Sequence, residues 1–149
     1  MSARLYGTRL RRACYIHDSA LIWIMDSRLM ETPTACILLV EDEPLVRADT
    51  IETLRAAGFQ VIDASNADQA IAILETRSDI RVVVTDIQMP GTMHGLKLAA
   101  VIRNRWPPIA LIVTSGRITV QADELPERGR FLSKPYSGAH LIEAIHASL

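Results

Sequence analysis

A chain of 149 residues, 49% hydrophobic and 22% charged, suits one soluble globular domain with a real core. Its formal net charge of −1 gives no pull toward nucleic acid or a membrane surface. The two cysteines, Cys14 and Cys36, form no metal or redox spacing, so free thiols in a reducing cytoplasm are the expectation.

Residues 1–35 stand apart from the rest. They hold five arginines against three acids, a local charge of +2, whereas residues 36–149 hold eleven basic residues against fourteen acids, or −3. Arg4, Arg9, Arg11 and Arg12 precede the mildly apolar stretch Ala20 to Met25, which His17, Asp18 and Asp26 bracket. A bilayer span needs ~20 apolar residues, and a secretory signal needs an unbroken apolar region with a small-residue cleavage site. Neither pattern is present. The segment is expected to be a disordered or loosely docked extension, or a matter of translation start with Met30 as the alternative. A basic interaction helix is the third reading, and no chemistry is placed there.

From residue 36 short apolar runs alternate with helix-length amphipathic segments, the pattern of βαβ units and a parallel sheet. Ile37-Leu38-Leu39-Val40 is the first strand and ends on Glu41-Asp42. Pro44 suits a first helical turn, Leu45, Val46, Ala48, Ile51, Leu54 and Arg55 follow at helical spacing, and Ala57-Gly58 closes the helix. Phe59 to Ile62 is strand two. Ser65 or Asn66 caps a helix carrying Ala67, Ala70, Ile71, Ile73 and Leu74. Strand three covers about 81–85 and a third helix roughly 94–105. Strand four is 109–113, strand five about 130–133, and a last helix starts near Gly138. The segment Arg117 to Gly129 is the irregular crossover. It predicts a fourth helix of at most about two turns, then a turn over Leu125 to Gly129.

Four strands end on residues that handle phosphate. The first runs into Glu41-Asp42, the third into Asp86, the fourth into Thr114, and the fifth into Lys134-Pro135. Parallel strands share one carboxyl edge, where ligands of such sheets bind. Three carboxylates, a hydroxyl and an ammonium are thus expected to converge. Carboxylates about 4 Å apart repel by roughly 4 kcal/mol at an effective dielectric of 20, so the cluster calls for a cation. Few hard oxygen ligands on an open edge suit Mg²⁺. Asp86 is the expected nucleophile toward a phosphoryl group, Lys134 the clamp on one of its oxygens and Thr114 the donor to another.

Residues 36–149, carrying Glu41-Asp42, the Val84 to Gly91 segment around Asp86, Thr114-Ser115-Gly116 and Lys134-Pro135-Tyr136, resemble the receiver domain of two-component response regulators. The resemblance implies a doubly wound, flavodoxin-like sheet in the order 2-1-3-4-5. It implies phosphotransfer to Asp86 from a histidine kinase or histidine phosphotransfer protein, self-catalysed rather than enzymatic turnover. Asp42, Asp86 and the Gln88 backbone carbonyl are then expected to bind Mg²⁺, with Glu41 acting through water and a cis Lys134–Pro135 bond. The switch pair is Thr114, turning toward the phosphoryl oxygen, and Phe131, swinging into the vacated space. The chain is expected to be a stand-alone cytoplasmic receiver acting on a separate downstream protein, a monomer or weak homodimer.

Other readings are weaker on the residues. A haloacid dehalogenase-type phosphohydrolase places an Asp-x-Asp pair after strand one, where this chain has Glu41-Asp42. A flavodoxin-like cofactor binder needs a Ser/Thr/Gly-rich phosphate loop there. A degenerate receiver serving only as a binding module would lack part of the five-residue set. His94 is read as a solvated loop histidine, His140 and His146 take no catalytic part, and no GxGxxG or P-loop pattern is present.

Overall fold

Cys36–Val40 is apolar at all five positions and buried at all five. That is the behaviour of a strand covered on both faces of a parallel sheet. A computed structural model of the chain describes residues 15–17, 20–22, 34–89, 91, 93–117, 125–126 and 128–149. The chain divides into two units, Met1–Pro33 and Thr34–Leu149. In the first, the short strands Tyr15–His17 and Ala20–Ile22 pair antiparallel.

The second unit runs β1 (Cys36–Val40), α1 (Pro44–Ala56), β2 (Gln60–Ala64), α2 (Ala67–Thr76), β3 (Ile80–Asp86), α3 (Gly95–Arg105), β4 (Ala110–Ser115), β5 (Gly129–Ser133) and α4 (Gly138–His146). All four strand pairings are parallel, and the spatial order is β2-β1-β3-β4-β5. This is the doubly wound 2-1-3-4-5 sheet the sequence leads one to expect. The fourth helix expected after Arg117 lies outside the described residues. The turn that follows is seen: the Gly129 N–H donates to the Pro126 carbonyl at 2.8 Å, with Arg128 at φ +64°.

Local chemistry sets the helix ends. Pro44 opens α1, where its missing N–H costs nothing, and Gly58 at φ +92° closes it with its N–H on the Arg55 carbonyl at 2.9 Å. Asn66 caps α2 by accepting the Gln69 N–H at 2.9 Å, and Ser137 caps α4 by accepting that of His140 at 3.2 Å.

Alternation along the strands splits the core in two. Leu38, Val83, Leu111 and Val113 face Leu74, Leu98 and Ile102 on the α2/α3 side. Ile37, Leu39, Val84 and Ile112 face Leu54, Leu141 and Ile145 on the α1/α4 side. Each fully buried aliphatic chain is worth about 1.5–3 kcal/mol, which pins the register and hence the strand ends.

Gly95 shows how tightly the carboxyl edge is held. A Cβ there would lie 2.0 Å from the Asp86 carbonyl oxygen and 2.8 Å from the Ile87 Cα, both backbone atoms. Gly95→Ala is therefore expected to lower unfolding stability by about 2 kcal/mol or more, read as a drop in the urea midpoint. An unchanged midpoint would contradict this.

Candidate functional site

Four of the five strands, all but β2, deliver a part of the site. Where β1 ends, the Glu41 N–H continues the ladder to the Ala64 carbonyl at 3.1 Å, and its carboxylate accepts the Glu43 N–H at 3.2 Å. Arg47, one turn into α1, donates to the Glu41 carbonyl at 2.9 Å and pairs with Asp63 at 3.2 Å. The Glu41-Asp42 loop is thus tied to both α1 and β2. Asp86 ends β3 opposite Thr114, and the Ile87 N–H donates to the Thr114 carbonyl at 2.9 Å. One Asp86 oxygen, Oδ1, accepts the Gln88 N–H at 3.2 Å. After β5, the Lys134 N–H continues the pairing to the Ser115 carbonyl at 2.8 Å, and the Lys134–Pro135 bond is cis.

These anchors bring residues 93 positions apart into contact. The Lys134 Nζ donates to Asp86 Oδ2 at 2.9 Å and to Glu41 Oε2 at 3.1 Å. Carboxylate oxygens of Glu41, Asp42 and Asp86 lie within 4.8 Å of one another. The Glu41 side chain is only 6% exposed and that of Asp86 10%, so water screens them poorly.

The electrostatics follow from three carboxylates facing one ammonium, a formal −2. Burial raises the Glu41 pKa above the usual carboxylate range, and hydrogen bonds from Lys134 and the Glu43 N–H offset this only in part. Burial alone would lower the Lys134 pKa, but its hydrogen bonds to Asp86 and Glu41 outweigh that and leave it above an ordinary lysine. The ammonium is satisfied while the acids are not. An all-oxygen donor set with excess negative charge fits a hard divalent cation, which is the chemistry of Mg²⁺.

Of the expected residues, Glu41, Asp42, Asp86 and Lys134 form one cluster, with Gln88 adjoining through its N–H. Thr114 is 2% exposed and sits beside Asp86 in the ladder. Phe131 is away from this group: it is half-buried against the α2/α3-side core, paired in register with Val113. Two residues without a role in the sequence reading belong here. Arg47 looks like an ordinary solvent-facing helix residue, and nothing in the sequence signals its contact. Tyr136 has a weak signal, a hydroxyl two positions after Lys134. Its side chain is half-buried on the α1/α4 side, and burial raises its pKa above that of an ordinary tyrosine, with the Lys134 ammonium opposing the rise.

Residues 37–146 match the family described as the response regulator receiver domain. The response regulator protein FleR of Pseudomonas aeruginosa is 31% identical over 74% of this chain and 24% of its own length. The sensor kinase CckA of Brucella abortus is 33% identical over 78% of this chain and 13% of its own. The chain therefore spans about a quarter or less of these curated relatives. A crystal structure of a response regulator receiver protein from Sinorhizobium medicae superposes with a TM-score of 0.73 at 32% identity, covering 78% of this chain and 94% of that one.

Proposed function

The chain belongs to the response regulator receiver domain family, and on that premise we propose that residues 34–149 accept a phosphoryl group on Asp86 from a histidine kinase or a histidine phosphotransfer protein. The observation that carries this reading is the Lys134 ammonium held between Asp86 at 2.9 Å and Glu41 at 3.1 Å, beside Asp42.

In the transfer, a carboxylate oxygen of Asp86 forms a bond to phosphorus as the phosphorus–nitrogen bond of the donor phosphohistidine breaks. The electron pair leaves with the imidazole, which is protonated, and Asp86 becomes an acyl phosphate. Oδ1 and Oδ2 are oriented by the Gln88 N–H and Lys134 respectively. As the carboxylate charge moves to the phosphoryl oxygens, the Lys134 ammonium follows it, and Thr114 donates its hydroxyl proton to another oxygen. Asp42, Asp86 and the Gln88 carbonyl would hold Mg²⁺, with Glu41 acting through water. When bound, the ion neutralises charge on the transferring oxygens. Hydrolysis of the acyl phosphate returns Asp86, so the chemistry is self-contained and turns over no small substrate.

The signal passes as a population shift, which a few kcal/mol of differential stabilisation suffices to drive. Thr114 moves toward the phosphoryl group, Phe131 responds, and a separate downstream protein reads the change. Among the described residues no helix is long and apolar enough to cross a membrane. A cytoplasmic location belongs to the same reading.

Incubation with Mg²⁺ and acetyl phosphate is expected to add the mass of one phosphoryl group, labile to acid and base. Chelating the metal is expected to slow uptake by roughly a hundredfold, given the several kcal/mol a bound cation contributes to such transition states. No mass gain, or uptake indifferent to chelation, would reject the proposal.

A further inference from the structure

We propose that Arg47 is a positioning residue for the metal site: its guanidinium, braced by Asp63, fixes the Glu41–Asp42 peptide and so the direction in which the Asp42 carboxylate is offered to Mg²⁺. This rests on the reading of Asp86 and the acid cluster given above.

Two of the three clustered acids have their carboxylates held directly. Glu41 accepts the Glu43 N–H and the Lys134 ammonium, and Asp86 accepts the Gln88 N–H and the same ammonium. Asp42 is half-buried, and among the described residues no hydrogen bond holds its carboxylate. Its direction therefore comes from the backbone. The Glu41–Asp42 peptide is planar, so a partner that fixes the Glu41 carbonyl oxygen fixes the plane from which the Asp42 side chain springs. The helix start does not do this, because Glu43, the N-cap of α1, makes no side-chain cap hydrogen bond. Arg47 supplies the hold.

Helical side chains lean toward the N-terminus of their helix, which carries Arg47, one turn into α1, back over the loop. Its Nη1 donates to the Glu41 carbonyl at 2.9 Å, and its Nε pairs with Asp63 Oδ2 at 3.2 Å. A guanidinium is a rigid planar fork, so anchoring Nε on β2 aims Nη1 at the carbonyl. The Glu41 N–H is held by the carbonyl of Ala64, the residue after Asp63. Both ends of Glu41 are thus referred to β2, the one strand that lends the site no side chain of its own. Asp63 has a second effect: it balances the guanidinium charge, so Arg47 adds no net repulsion against a divalent cation nearby.

Arg47→Met keeps an aliphatic stem and removes both contacts. Loss of a cation alone would tighten Mg²⁺ binding at an acidic site, whereas loss of positioning weakens it, so the sign of the change decides. Calorimetric titration of the unphosphorylated full chain with Mg²⁺ is expected to show binding roughly ten- to hundredfold weaker, the usual effect of losing a group that orients a metal ligand. The Mg²⁺ concentration giving half-maximal uptake from acetyl phosphate should rise by the same factor, while the rate at saturating Mg²⁺ falls far less. A residue that only supports the fold would lower the urea midpoint and leave Mg²⁺ affinity alone. Should Arg47→Met not fold, Asp63→Ala takes its place, at a side chain 44% exposed. In about 0.5 M salt, which screens its lost charge, it should still bind Mg²⁺ roughly threefold or more weaker than wild type. Affinity equal to or tighter than wild type in folded Arg47→Met, or failing that in Asp63→Ala, would overturn this inference alone. Wild-type protein that binds no Mg²⁺ or takes up no phosphoryl group would sink the reading of the site itself, and this inference with it.

Discussion

Asp86→Asn is expected to reduce phosphoryl uptake more than roughly a thousandfold, because the amide oxygen is no substitute for a carboxylate nucleophile. Folding should change little, by about 1 kcal/mol at most. The Lys134 ammonium keeps its contact to Glu41 at 3.1 Å, and the substitution removes one of three mutually repelling acids. Intact-mass measurement after acetyl phosphate treatment, beside a urea melt, separates loss of the nucleophile from loss of the fold. Asp42→Asn is the informative companion, since it weakens the metal site but spares the nucleophile. It should slow uptake without abolishing it. Uptake that persists in Asp86→Asn and disappears in Asp42→Asn would move the acceptor to the other strand.

The parts of this site legible in the sequence are those that sit at strand ends. Buried parallel strands are apolar on both faces, so Cys36–Val40 and Ile80–Asp86 announce where they stop, and Glu41, Asp42 and Asp86 follow from that. Boundaries blur where the burial is one-sided. Phe59 reads as a strand residue, yet its N–H goes to the Leu54 carbonyl at 3.1 Å and closes α1, and its ring packs on His146. The strand instead runs on through Asp63 and Ala64, paired with Leu39 and Val40. An exposed aspartate at the edge of a sheet carries no hydrophobic signal, but Arg47 gives it a partner.

Contacts made by a single polar atom are harder to anticipate. The Arg47 guanidinium on the Glu41 carbonyl depends on which way a side chain leaves its helix, which composition does not encode. Gly95 is intermediate: a glycine near a loop invites a turn assignment, whereas its physical reason is the Asp86 backbone lying where a Cβ would go. Thr114 and Phe131 look alike in the sequence, each near the end of an apolar strand, and part company for the same reason. Adjacent strands place one toward α1/α4 and the other toward α2/α3.

Lys134→Met is expected to cost about 2–3 kcal/mol of stability at pH 8 in metal-free buffer. Breaking a fully buried ion pair costs about 3–5 kcal/mol, and the 24% exposure of the Lys134 side chain puts this case at or below the lower end. The penalty should be pH-dependent, with a sign that follows from Glu41. Its folded-state pKa is already raised by burial, and removing the ammonium raises it further. Between the ordinary glutamate value and that raised value the native state holds more protons than the unfolded one, so stability falls as pH rises through this window. Below the window Glu41 is protonated in both states and its share of the penalty disappears. Urea melts of mutant and wild type should therefore converge as the pH is lowered from 8 toward 5. Adding Mg²⁺ at pH 8 should stabilise the mutant more than the wild type, because a divalent cation relieves the repulsion the lysine had offset. A mutant as stable as the wild type at pH 8, or a deficit unaffected by both pH and Mg²⁺, would mean that the ammonium does not balance Glu41 and Asp86, and the charge argument for the site would have to be abandoned.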